Sequence, residues 1–507
     1  MDRSKAEDGS MEYAVAVFDV GKTNKKVLVY DRELHLLDSA YKVFPTSLKD
    51  GLEIEPVDEV ERWFFDQLGH FAALYPIRVI SITTHGAAFV CVGDDGRPAL
   101  PVVSYTYEPG EQFHEQYYRE VGERSHLQRT TATLELKALI NPGKGLFFAR
   151  QRFSREFADV RHILFFPQYW GFRLTGQIAA DYTYAGCHTY LWDFSRNDWS
   201  EVADRLGIRK LLPQRVGKPW DVLGTVTPAV AAQTGLASDT TVTFGIHDSN
   251  ASLLPHLVKR KGDFVLNSTG TWCVAMHPAK SVQFAEEEIG KAVFYNISPL
   301  GTPVKTSILM GGLEFETYTA ILKQVCGRAD FPAYDRERYR RIVREKRLFI
   351  LPGVVPGSGQ FPDSVSRVVE DGTVYSLSDI RSGVHIPAFF RDYEIAYAVL
   401  NLSLALQTRT ALERVNLEPG VSLFTEGGFR NNVDYNRLVS TFFPGSPHAL
   451  TDVSEATSFG AALVGRLAVE KGEPAALAHT FEIEDTPVPG DTFEGLQEYA
   501  STFYSLI

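Results

Sequence analysis

The chain has little cysteine, no long apolar run and a deficit of positive charge. Its four cysteines, Cys91, Cys187, Cys273 and Cys326, are scattered over 507 residues, with no Cys-x-x-Cys pair and no histidine partner at metal-ligand spacing. This pattern argues against a disulfide framework and favours buried free thiols in a reducing compartment. Because no stretch approaches the roughly 18 apolar residues of a membrane span, we expect a cytoplasmic protein that does not engage membranes.

The net charge of −12 argues against nucleic acid as a partner, because nucleic-acid binding needs a basic face that neutralises phosphates. A local basic pocket for a small anionic ligand remains compatible with this charge. Residues 1–11 are charged and lack the apolar segment of a signal peptide, so we expect them to form a disordered leader.

At 507 residues the chain is too long for a single core, and two domains of similar size are expected. We predict them at residues 12–254 and 262–507, joined by a polar linker near residues 255–261. A hydrophobic content of 44% is that of a well-packed globular protein. The sequence does not specify the oligomeric state, and a homodimer stays one option.

Apolar strand-like runs alternate with helical patterns along the whole chain. This alternation predicts an α/β architecture with buried mixed sheets. The predicted strands are residues 78–83, 89–92, 241–244, 264–266, 348–351 and 422–424, and the clearest helices are residues 57–74, 147–157, 392–415 and 455–470.

Residues 14–31 predict a buried β-hairpin, with Asp19, Gly21, Lys22 and Thr23 at its bend. The glycine allows backbone N–H groups to approach an anion, and a carboxylate at a strand end can hold hydrated Mg²⁺. The Gly-Lys-Thr sequence is not a Walker A loop, because position 16 is alanine and a strand follows instead of a helix. An ordinary hairpin with a solvated basic turn is the alternative.

Residues 264–274 repeat this plan, since an apolar strand, a turn of small hydroxyl residues and glycine, and a second apolar strand follow one another. Each half of the chain then begins with a turn of the size that binds a phosphate. Two similar domains facing a cleft are typical of an enzyme that closes around two substrates.

Asp248 follows a predicted strand and precedes a run of small residues that begins a helix. At that place its carboxylate could accept a proton from a substrate hydroxyl, or it could cap the helix. Two further turns are rich in glycine. Gly427 and Gly428 join a strand to a helix, where backbone can pass close to a nucleotide, and residues 457–462 begin or lie within a helix.

Together these motifs resemble those of the FGGY carbohydrate kinases, whose superfamily includes actin and the heat-shock chaperone ATPases. The matching sequences are Asp-x-Gly-x-Thr-x-x-Lys from Asp19, Gly-x-His-Asp ending at Asp248, Ser-Thr-Gly-Thr-Trp from Ser268, the Gly-Gly pair and a late Gly-Ala-Ala. The resemblance is collinear over residues 15–468. It implies two ribonuclease H-like domains, each with a mixed β-sheet flanked by helices, and a cleft between them.

The resemblance also implies ATP and Mg²⁺ as cofactors and a role for each matching residue. Asp19 would hold Mg²⁺, and Asp248 would be the catalytic base that takes the proton of the attacking sugar hydroxyl. The remaining nucleotide contacts would be Gly21, Lys22 and Thr23 at the first phosphate turn, Gly270 and Thr271 at the second, and Gly427, Gly428, Asn431 and Gly460 around the adenosine.

The sugar would lie against the N-terminal domain, with contacts from His85, Gly86, Tyr107, Glu108, Gln168 and His247. A neutral imidazole can donate to one hydroxyl and accept from another, which suits a polyol. The chain departs from the family pattern at residues 105–109, where an expected arginine is missing, and at Gln168, where an aspartate is common. His247 and Trp272 resemble rhamnulokinases and fuculokinases, which favours a ketose such as a 6-deoxy-ketohexose.

A catalytically silent sugar sensor on the same fold is the second function class. Regulators of related families usually carry a DNA-binding helix-turn-helix, and only about a dozen residues precede the first predicted strand, which is too few for such a domain. Retention of Asp248 favours an enzyme.

Overall fold

The computed structural model describes residues 12–453 and 455–507. The predicted leader at residues 1–11 lies outside the described residues. The strands of the first half are β1 (Ala14–Val20), β2 (Asn24–Asp31), β3 (Leu36–Val43), β4 (Ser47–Lys49), β5 (Leu52–Ile54), β6 (Ile77–Thr84), β7 (Phe89–Val92), β8 (His162–Phe165), β9 (Ala180–Asp181), β10 (Trp192–Asp193), β11 (Asp198–Trp199), β12 (Val216–Gly217), β13 (Val222–Thr225), β14 (Thr241–Thr243) and β15 (Ile246–His247).

The strands of the second half are β16 (Phe264–Thr269), β17 (Cys273–Pro278), β18 (Val293–Ile297), β19 (Pro303–Leu309), β20 (Leu348–Ile350), β21 (Arg367–Glu370), β22 (Thr373–Ser376), β23 (Ser422–Gly427), β24 (His448–Asp452) and β25 (Glu484–Pro487). The helices are α1 (Val57–Ala72), α2 (Glu111–Val121), α3 (Arg124–Thr131), α4 (Pro142–Arg152), α5 (Phe166–Thr175), α6 (Tyr182–Ala185), α7 (Glu201–Arg205), α8 (Pro228–Thr234), α9 (Asp248–Lys259), α10 (Gly311–Cys326), α11 (Arg336–Glu345), α12 (Leu377–Ser382), α13 (Tyr393–Arg414), α14 (Val433–Phe442), α15 (Ala456–Glu470) and α16 (Leu496–Leu506).

Each half contains one large mixed sheet, and the two sheets have the same core plan. The first has the order β13-β14-β6-β1-β2-β3, with β1 and β2 antiparallel and β1 and β6 parallel. The second has the order β18-β19-β17-β16-β23-β24-β25, in which β16 is antiparallel to β17 and parallel to β23. The predicted α/β fold with two mixed sheets flanked by helices is therefore confirmed.

The central strand β1 is buried along its whole length because helices cover both of its faces. On one face Phe18 stacks on Phe64 of α1, with 3.6 Å between the ring centroids. On the other face Val15 and Val17 belong to a core that includes side chains of α9 and α15. The continuous apolar run of β1 in the sequence is the pattern of a strand buried on both sides.

Helix α15 comes from the second half of the sequence but packs on the first sheet, beside α9. A Cβ on Gly460 would lie 1.8 Å from the carbonyl oxygen of Ala251 in α9, so only glycine allows this approach. Pro255 lies four residues after Ala251 within the same helix and has no N–H to donate to that carbonyl. The Ala251 carbonyl, which receives no hydrogen bond from Pro255, is therefore the group that contacts Gly460 where α9 and α15 pack together.

The structure differs from the sequence predictions at two places. The predicted linker near residues 255–261 is helical as far as Lys259, because Pro255 is tolerated inside α9. The helix predicted over residues 147–157 is α4, which begins earlier, with Pro142 in its first turn, and ends at Arg152. Proline suits a first helical turn, where its missing N–H has no partner to lose. The domain limits themselves stay a prediction.

Within the described residues, no helix combines the length and the apolar character needed to cross a membrane.

Candidate active site

Three parallel strands of the first sheet end at one edge, and three of the predicted site segments lie there. Strand β6 is paired with β1 on one side and with β15 on the other. In this register Thr83 is opposite both Asp19 and Ile246. The pair His85–Gly86 follows β6, and Asp248 follows β15. The sheet therefore brings together residues that are more than 60 positions apart in the sequence.

Asp19 is buried, with 5% of its surface exposed. Its Oδ2 accepts a hydrogen bond of 2.6 Å from Ser458 Oγ of α15 and lies 3.9 Å from Lys26 Nζ. Burial raises the pKa of Asp19 to about 6, and the negative charge of Asp248 adds to this, whereas Lys26 and Ser458 oppose it. Asp248 is thus close enough to Asp19 for its charge to raise the pKa of Asp19.

The turn between β1 and β2 is built on a buried lysine. Lys25 Nζ donates hydrogen bonds of 2.9 Å to the carbonyl oxygens of Gly21 and Lys22. Burial lowers the pKa of Lys25 to about 8. Thr23 is exposed at the tip of the turn. The ammonium group therefore fixes the backbone of the predicted phosphate turn from within the protein.

Lys22 has protein partners in the structure. Its ammonium group forms an ion pair with the buried Glu55, donates a 2.5 Å hydrogen bond to Ser104 Oγ, and lies 5.1 Å from the centroid of the Tyr105 ring. A phosphate contact of Lys22 stays a prediction, and it would compete with Glu55 for the same ammonium group. Glu55 was not identified from the sequence.

Asp248 is the first residue of α9, and about a third of its side chain is exposed. Its Oδ1 accepts a 2.6 Å hydrogen bond from the Ser249 N–H and lies 3.3 Å from His247 Nε2. Burial raises the pKa of Asp248, and the nearby His85 opposes this shift. The alternative that Asp248 caps the helix is wrong, because His247 occupies the N-cap position.

Histidines surround the space next to Asp248. His85 Nδ1 donates to the Gly86 carbonyl at 2.8 Å, and its buried Nε2 has no hydrogen-bond partner among the described residues. A Cβ on Gly86 would lie 2.7 Å from His247 Nε2 and 2.8 Å from His188 Nε2. Burial lowers the pKa of His85 to about 4 and that of His247 to about 3, so both imidazoles are neutral.

Cys187 and His188 are at this site but were not identified from the sequence. Cys187 Sγ lies 3.5 Å from His247 Nε2. The adjacent Cys-His pair was a visible signal, although its partner His247 is 60 residues away. The sequence analysis considered only histidines at metal-ligand spacing, and the fold brings His247 to Cys187 from 60 residues away.

Two predicted sugar contacts, Gln168 and Glu108, already have hydrogen-bond partners within the protein. The Gln168 amide donates to Asp181 Oδ2 at 3.0 Å and to the Phe244 carbonyl at 2.8 Å. Glu108 accepts hydrogen bonds from the backbone N–H groups of residues 110 and 138 and lies 2.8 Å from His114 Nε2. Tyr107 packs on Phe148, with 5.3 Å between ring centroids. Both side chains thus help to hold the fold. The buried Oε1 of Gln168 has no hydrogen-bond partner among the described residues, and the sugar contacts of Gln168 and Glu108 stay predictions.

The second predicted phosphate turn, Gly270 and Thr271, is exposed between β16 and β17. A Cβ on Gly312 in the first turn of α10 would lie 2.1 Å from the Gly270 carbonyl oxygen, so this turn rests directly on a helix N-terminus. Gly312 was not identified from the sequence, although a Gly-Gly pair at the start of a helix was a visible signal.

The predicted adenosine residues Gly427, Gly428 and Asn431 are exposed between β23 and α14. The φ angle of Gly427 is +82°, and a Cβ there would lie 2.0 Å from the carbonyl oxygen of Thr269. Thr269 Oγ1 also accepts a 2.9 Å hydrogen bond from the Phe429 N–H. The two turns of the second half are therefore joined through Thr269. Gly460 is instead buried where α15 packs on α9, so the structure gives it a packing role. Its contact with adenosine stays a prediction.

Comparison with known proteins identifies the family. Residues 14–255 match the model of the N-terminal domain of the FGGY family of carbohydrate kinases, and residues 261–474 match the model of the FGGY C-terminal domain. The chain therefore belongs to the FGGY family of carbohydrate kinases, and the resemblance found in the sequence is confirmed. A rhamnulokinase of Yersinia pestis (strain Pestoides F) is 24% identical over 273 residues, which cover 51% of this chain. The chain spans about half the length of the curated relatives it matches, 53% in this case.

Solved structures are similar over nearly the whole chain. A carbohydrate kinase from Novosphingobium aromaticivorans superposes with a TM-score of 0.77 at 25% identity and covers 98% of both chains. The glycerol kinase of Plasmodium falciparum, solved with ADP, has a TM-score of 0.76 at 15% identity and covers 99% of this chain and 98% of its own. At that identity the second match shows the shared fold alone.

Proposed function

We propose that this FGGY-family protein is an ATP-dependent sugar kinase that transfers the γ-phosphoryl group of ATP to a hydroxyl of a ketose or a related sugar. The observation that carries the proposal is the single sheet edge at which Asp19, His85–Gly86 and Asp248 meet. Phosphoryl transfer depends on positioning, charge neutralisation and exclusion of water more than on covalent chemistry by the protein. A sheet edge with two carboxylates and neutral hydrogen-bonding rings supplies such positioning.

In the proposed reaction Asp248 receives the proton of the attacking sugar hydroxyl. Its carboxylate is fixed by the Ser249 N–H and about a third of its side chain is exposed, so a bound hydroxyl can reach it. His85 and His247 are neutral, and each can donate to or accept from a sugar hydroxyl. Orientation by these rings would align the hydroxyl oxygen with the phosphoryl group.

Asp19 fits Mg²⁺ chemically, because a carboxylate at a strand end is a hard oxygen ligand, and Mg²⁺ in phosphoryl-transfer sites is held by one or two carboxylates plus waters and phosphates. When bound, the cation would neutralise the charge on the phosphates of ATP. Burial raises the pKa of Asp19 to about 6, and Lys26 and the Ser458 hydroxyl limit this rise, so that Asp19 is ionised at neutral pH. Gly21, Thr23, Gly270 and Thr271 would meet the phosphates with backbone and hydroxyl groups.

A 6-deoxy-ketohexose such as rhamnulose or fuculose is the first sugar to test. The support is the His247-Asp248 pair, the Trp272 that follows Gly270 and Thr271, and the similarity of half of the chain to rhamnulokinases. The four free cysteines and the use of ATP fit a cytoplasmic location.

The experiment is a screen of the purified protein with Mg²⁺ and ATP against a panel of ketoses, aldoses and polyols, with ADP release as the readout. We expect sugar-dependent ADP release, largest for ketoses. Sugar binding measured by calorimetry with no ADP release for any sugar would contradict the kinase and support the silent sensor.

Asp248→Asn should lower kcat by about 10²- to 10⁴-fold, because general-base assistance contributes about that factor, while sugar binding is retained. Asp94→Asn is the matched control, because Asp94 is exposed and forms an ion pair of 2.9 Å with Arg161 on the surface. Turnover by Asp248→Asn at the rate of the unmodified protein would remove Asp248 from the mechanism.

A further inference from the structure

Three metal-ligating side chains meet beside Asp248. They are Cys187, His188 and His247, and one ligand atom of each lies within 4.8 Å of the other two. The thiol of Cys187 and Nε2 of His247 are 3.5 Å apart, and Oδ1 of Asp248 is 3.3 Å from the same Nε2. We propose that Cys187, His188 and His247 bind a divalent cation of the Zn²⁺ class, and that this cation, when bound, blocks the sugar end of the site.

The spacing suits such a cation. Zn²⁺ bonds thiolate at about 2.3 Å and imidazole at about 2.0 Å. In a tetrahedral site, ligand atoms at these bond lengths are about 3.4–3.6 Å from one another. The observed separation of 3.5 Å between Cys187 Sγ and His247 Nε2 is already within this range. The third ligand atom, on His188, lies at most 4.8 Å from the other two, so a shift of about 1.4 Å or less brings it into this range.

The ligands are held in place by the surrounding fold. Asp181 Oδ1 accepts hydrogen bonds from the backbone N–H groups of Thr183 and Tyr184 at the start of α6, which leads directly into Cys187. Thr183 Oγ1 accepts a 3.1 Å hydrogen bond from the His247 N–H, which ties α6 to β15. His188 has a φ of +42°, a left-handed conformation that is uncommon for residues other than glycine. The cluster is therefore built largely by elements that are already rigid.

The chemistry of the three groups selects the class of cation. One thiol and two imidazoles suit Zn²⁺ or Co²⁺, whereas Mg²⁺ prefers oxygen ligands. Binding replaces the thiol proton of Cys187, which leaves to solvent. Asp248 can supply the fourth, oxygen ligand, because its Oδ1 lies next to His247 Nε2.

The site is exchangeable rather than structural. Metal-bound histidines usually donate their second ring N–H to a carboxylate or carbonyl, and loss of such a partner weakens binding by about 10- to 100-fold. The buried Nδ1 atoms of His188 and His247 have no hydrogen-bond partner among the described residues. A cation should therefore bind and leave as its concentration changes.

The consequence for catalysis rests on the proposed function. A cation held by His247 and Asp248 would occupy the groups that we assign to the sugar hydroxyl and its proton. It should therefore raise KM for the sugar and leave KM for ATP unchanged. The binding itself does not depend on the protein being a kinase.

The test uses Co²⁺ as a spectroscopic substitute for Zn²⁺, added to the full-length protein after removal of bound metals by dialysis against a chelator. We expect one Co²⁺ per chain, a thiolate-to-cobalt charge-transfer band in the near ultraviolet, and loss of the band when Zn²⁺ is added. Cys187→Ser should abolish the band. His188→Asn should weaken Co²⁺ binding at least about tenfold, and asparagine tolerates the left-handed backbone.

Cys326→Ser is the matched control, because Cys326 is the cysteine with the greater exposure and lies in the second half of the chain. Absence of the band in the unmodified protein, or its loss in Cys326→Ser with retention in Cys187→Ser, would overturn the proposal. If Cys187→Ser fails to fold, as a thermal unfolding curve would show, His188→Asn decides the question. A protein that shows the cobalt band but phosphorylates no sugar would support the metal site and contradict the proposed function.

Discussion

The two hairpin turns, residues 21–23 in the first half and residues 270–272 in the second, have similar positions in their sheets and different chemistry. The first lies among charges: the buried Lys25 binds its carbonyl oxygens, Lys22 pairs with Glu55, and Asp19 is next to it. The second has no ionisable residue in the turn itself and packs by close backbone approach, with Gly312 against the Gly270 carbonyl.

This difference teaches how one backbone plan can serve two tasks. The first sheet carries buried charges at this edge, and burial raises the pKa of both Asp19 and Asp248. The second sheet uses glycine to bring one backbone segment close to another, as Gly427 approaches Thr269. We therefore expect the first turn to be sensitive to changes of charge and the second to added volume, and four substitutions test this comparison.

The largest effect is expected from Gly427→Ala, at the end of β23, where Gly427 lies opposite Thr269 beside the second turn. The new Cβ would lie 2.0 Å from the Thr269 carbonyl oxygen and the φ angle is +82°, so backbone must move. We expect the free energy of unfolding to fall by about 3 kcal/mol or more, as measured by urea denaturation. Gly420→Ala is the control, because Gly420 has a φ of +91° and open space around it. Equal losses of unfolding free energy in the two variants would mean that the close approach of Gly427 to the Thr269 carbonyl is unimportant for stability.

Asp19→Asn should stabilise the ligand-free protein at pH 8. The pKa of Asp19 is raised to about 6 in the folded protein. The contribution of Asp19 to the free energy of unfolding is therefore favourable at low pH and is lost as the pH rises through 6. Asparagine has no charge to bury and avoids this loss. The free energy of unfolding of Asp19→Asn should therefore exceed that of the unmodified protein by up to about 3 kcal/mol at pH 8, and by less at pH 5. Urea denaturation at both pH values measures it. A lower free energy of unfolding for Asp19→Asn at pH 8 would contradict the predicted direction of this change.

Lys25→Met should change binding more than stability. Burial lowers the pKa of Lys25 to about 8, so its desolvation offsets much of the benefit of its two hydrogen bonds. The turn carbonyls lose their partner, and KM for ATP should rise about tenfold, or about 1.4 kcal/mol. Lys42→Met is the control, because Lys42 is exposed and lies directly opposite Lys25 on the neighbouring strand β3. An unchanged KM for ATP would show that charge does not organise this turn.

The smallest effect is expected from Ser458→Ala. The Ser458 hydroxyl lowers the pKa of Asp19, although burial keeps that pKa above its usual value. Without the hydroxyl the acid limb of the kcat/KM profile should move to higher pH by a fraction of a unit. Ser458→Thr keeps a hydroxyl and should move the limb less. A shift of the acid limb to lower pH in Ser458→Ala would contradict the attribution of that limb to Asp19.

The sequence predicted the parts of the site that are local. The β1–β2 hairpin, the strand end at Asp248 and the strand–Gly-Gly–helix junction at Gly427 follow from apolar runs interrupted by glycine, and the structure contains all three. Strand β7 was predicted with its observed limits. These features were accessible because hydrophobic alternation and turn residues act over only a few positions.

The missing parts depend on contacts between distant segments. Ser458 reaches Asp19 across 439 positions of sequence, and Glu55 pairs with Lys22 across 33. Gln168 has the residue type of a sugar contact, yet its amide is bonded to Asp181 and a backbone carbonyl. Residue type shows what a side chain can bind, and only packing shows which partner it has.

The sequence by itself determined the two sheets, the family and the two carboxylates at strand ends, because local patterning specifies strands and their ends. The tertiary structure decided which groups surround those carboxylates. Helix α15 crosses from the second half onto the first sheet and brings Ser458 to Asp19, and the fold places Cys187 and His188 beside His247. The physical reason is that burial and charge, which set the pKa values and ligand preferences of a site, depend on neighbours in space rather than in sequence.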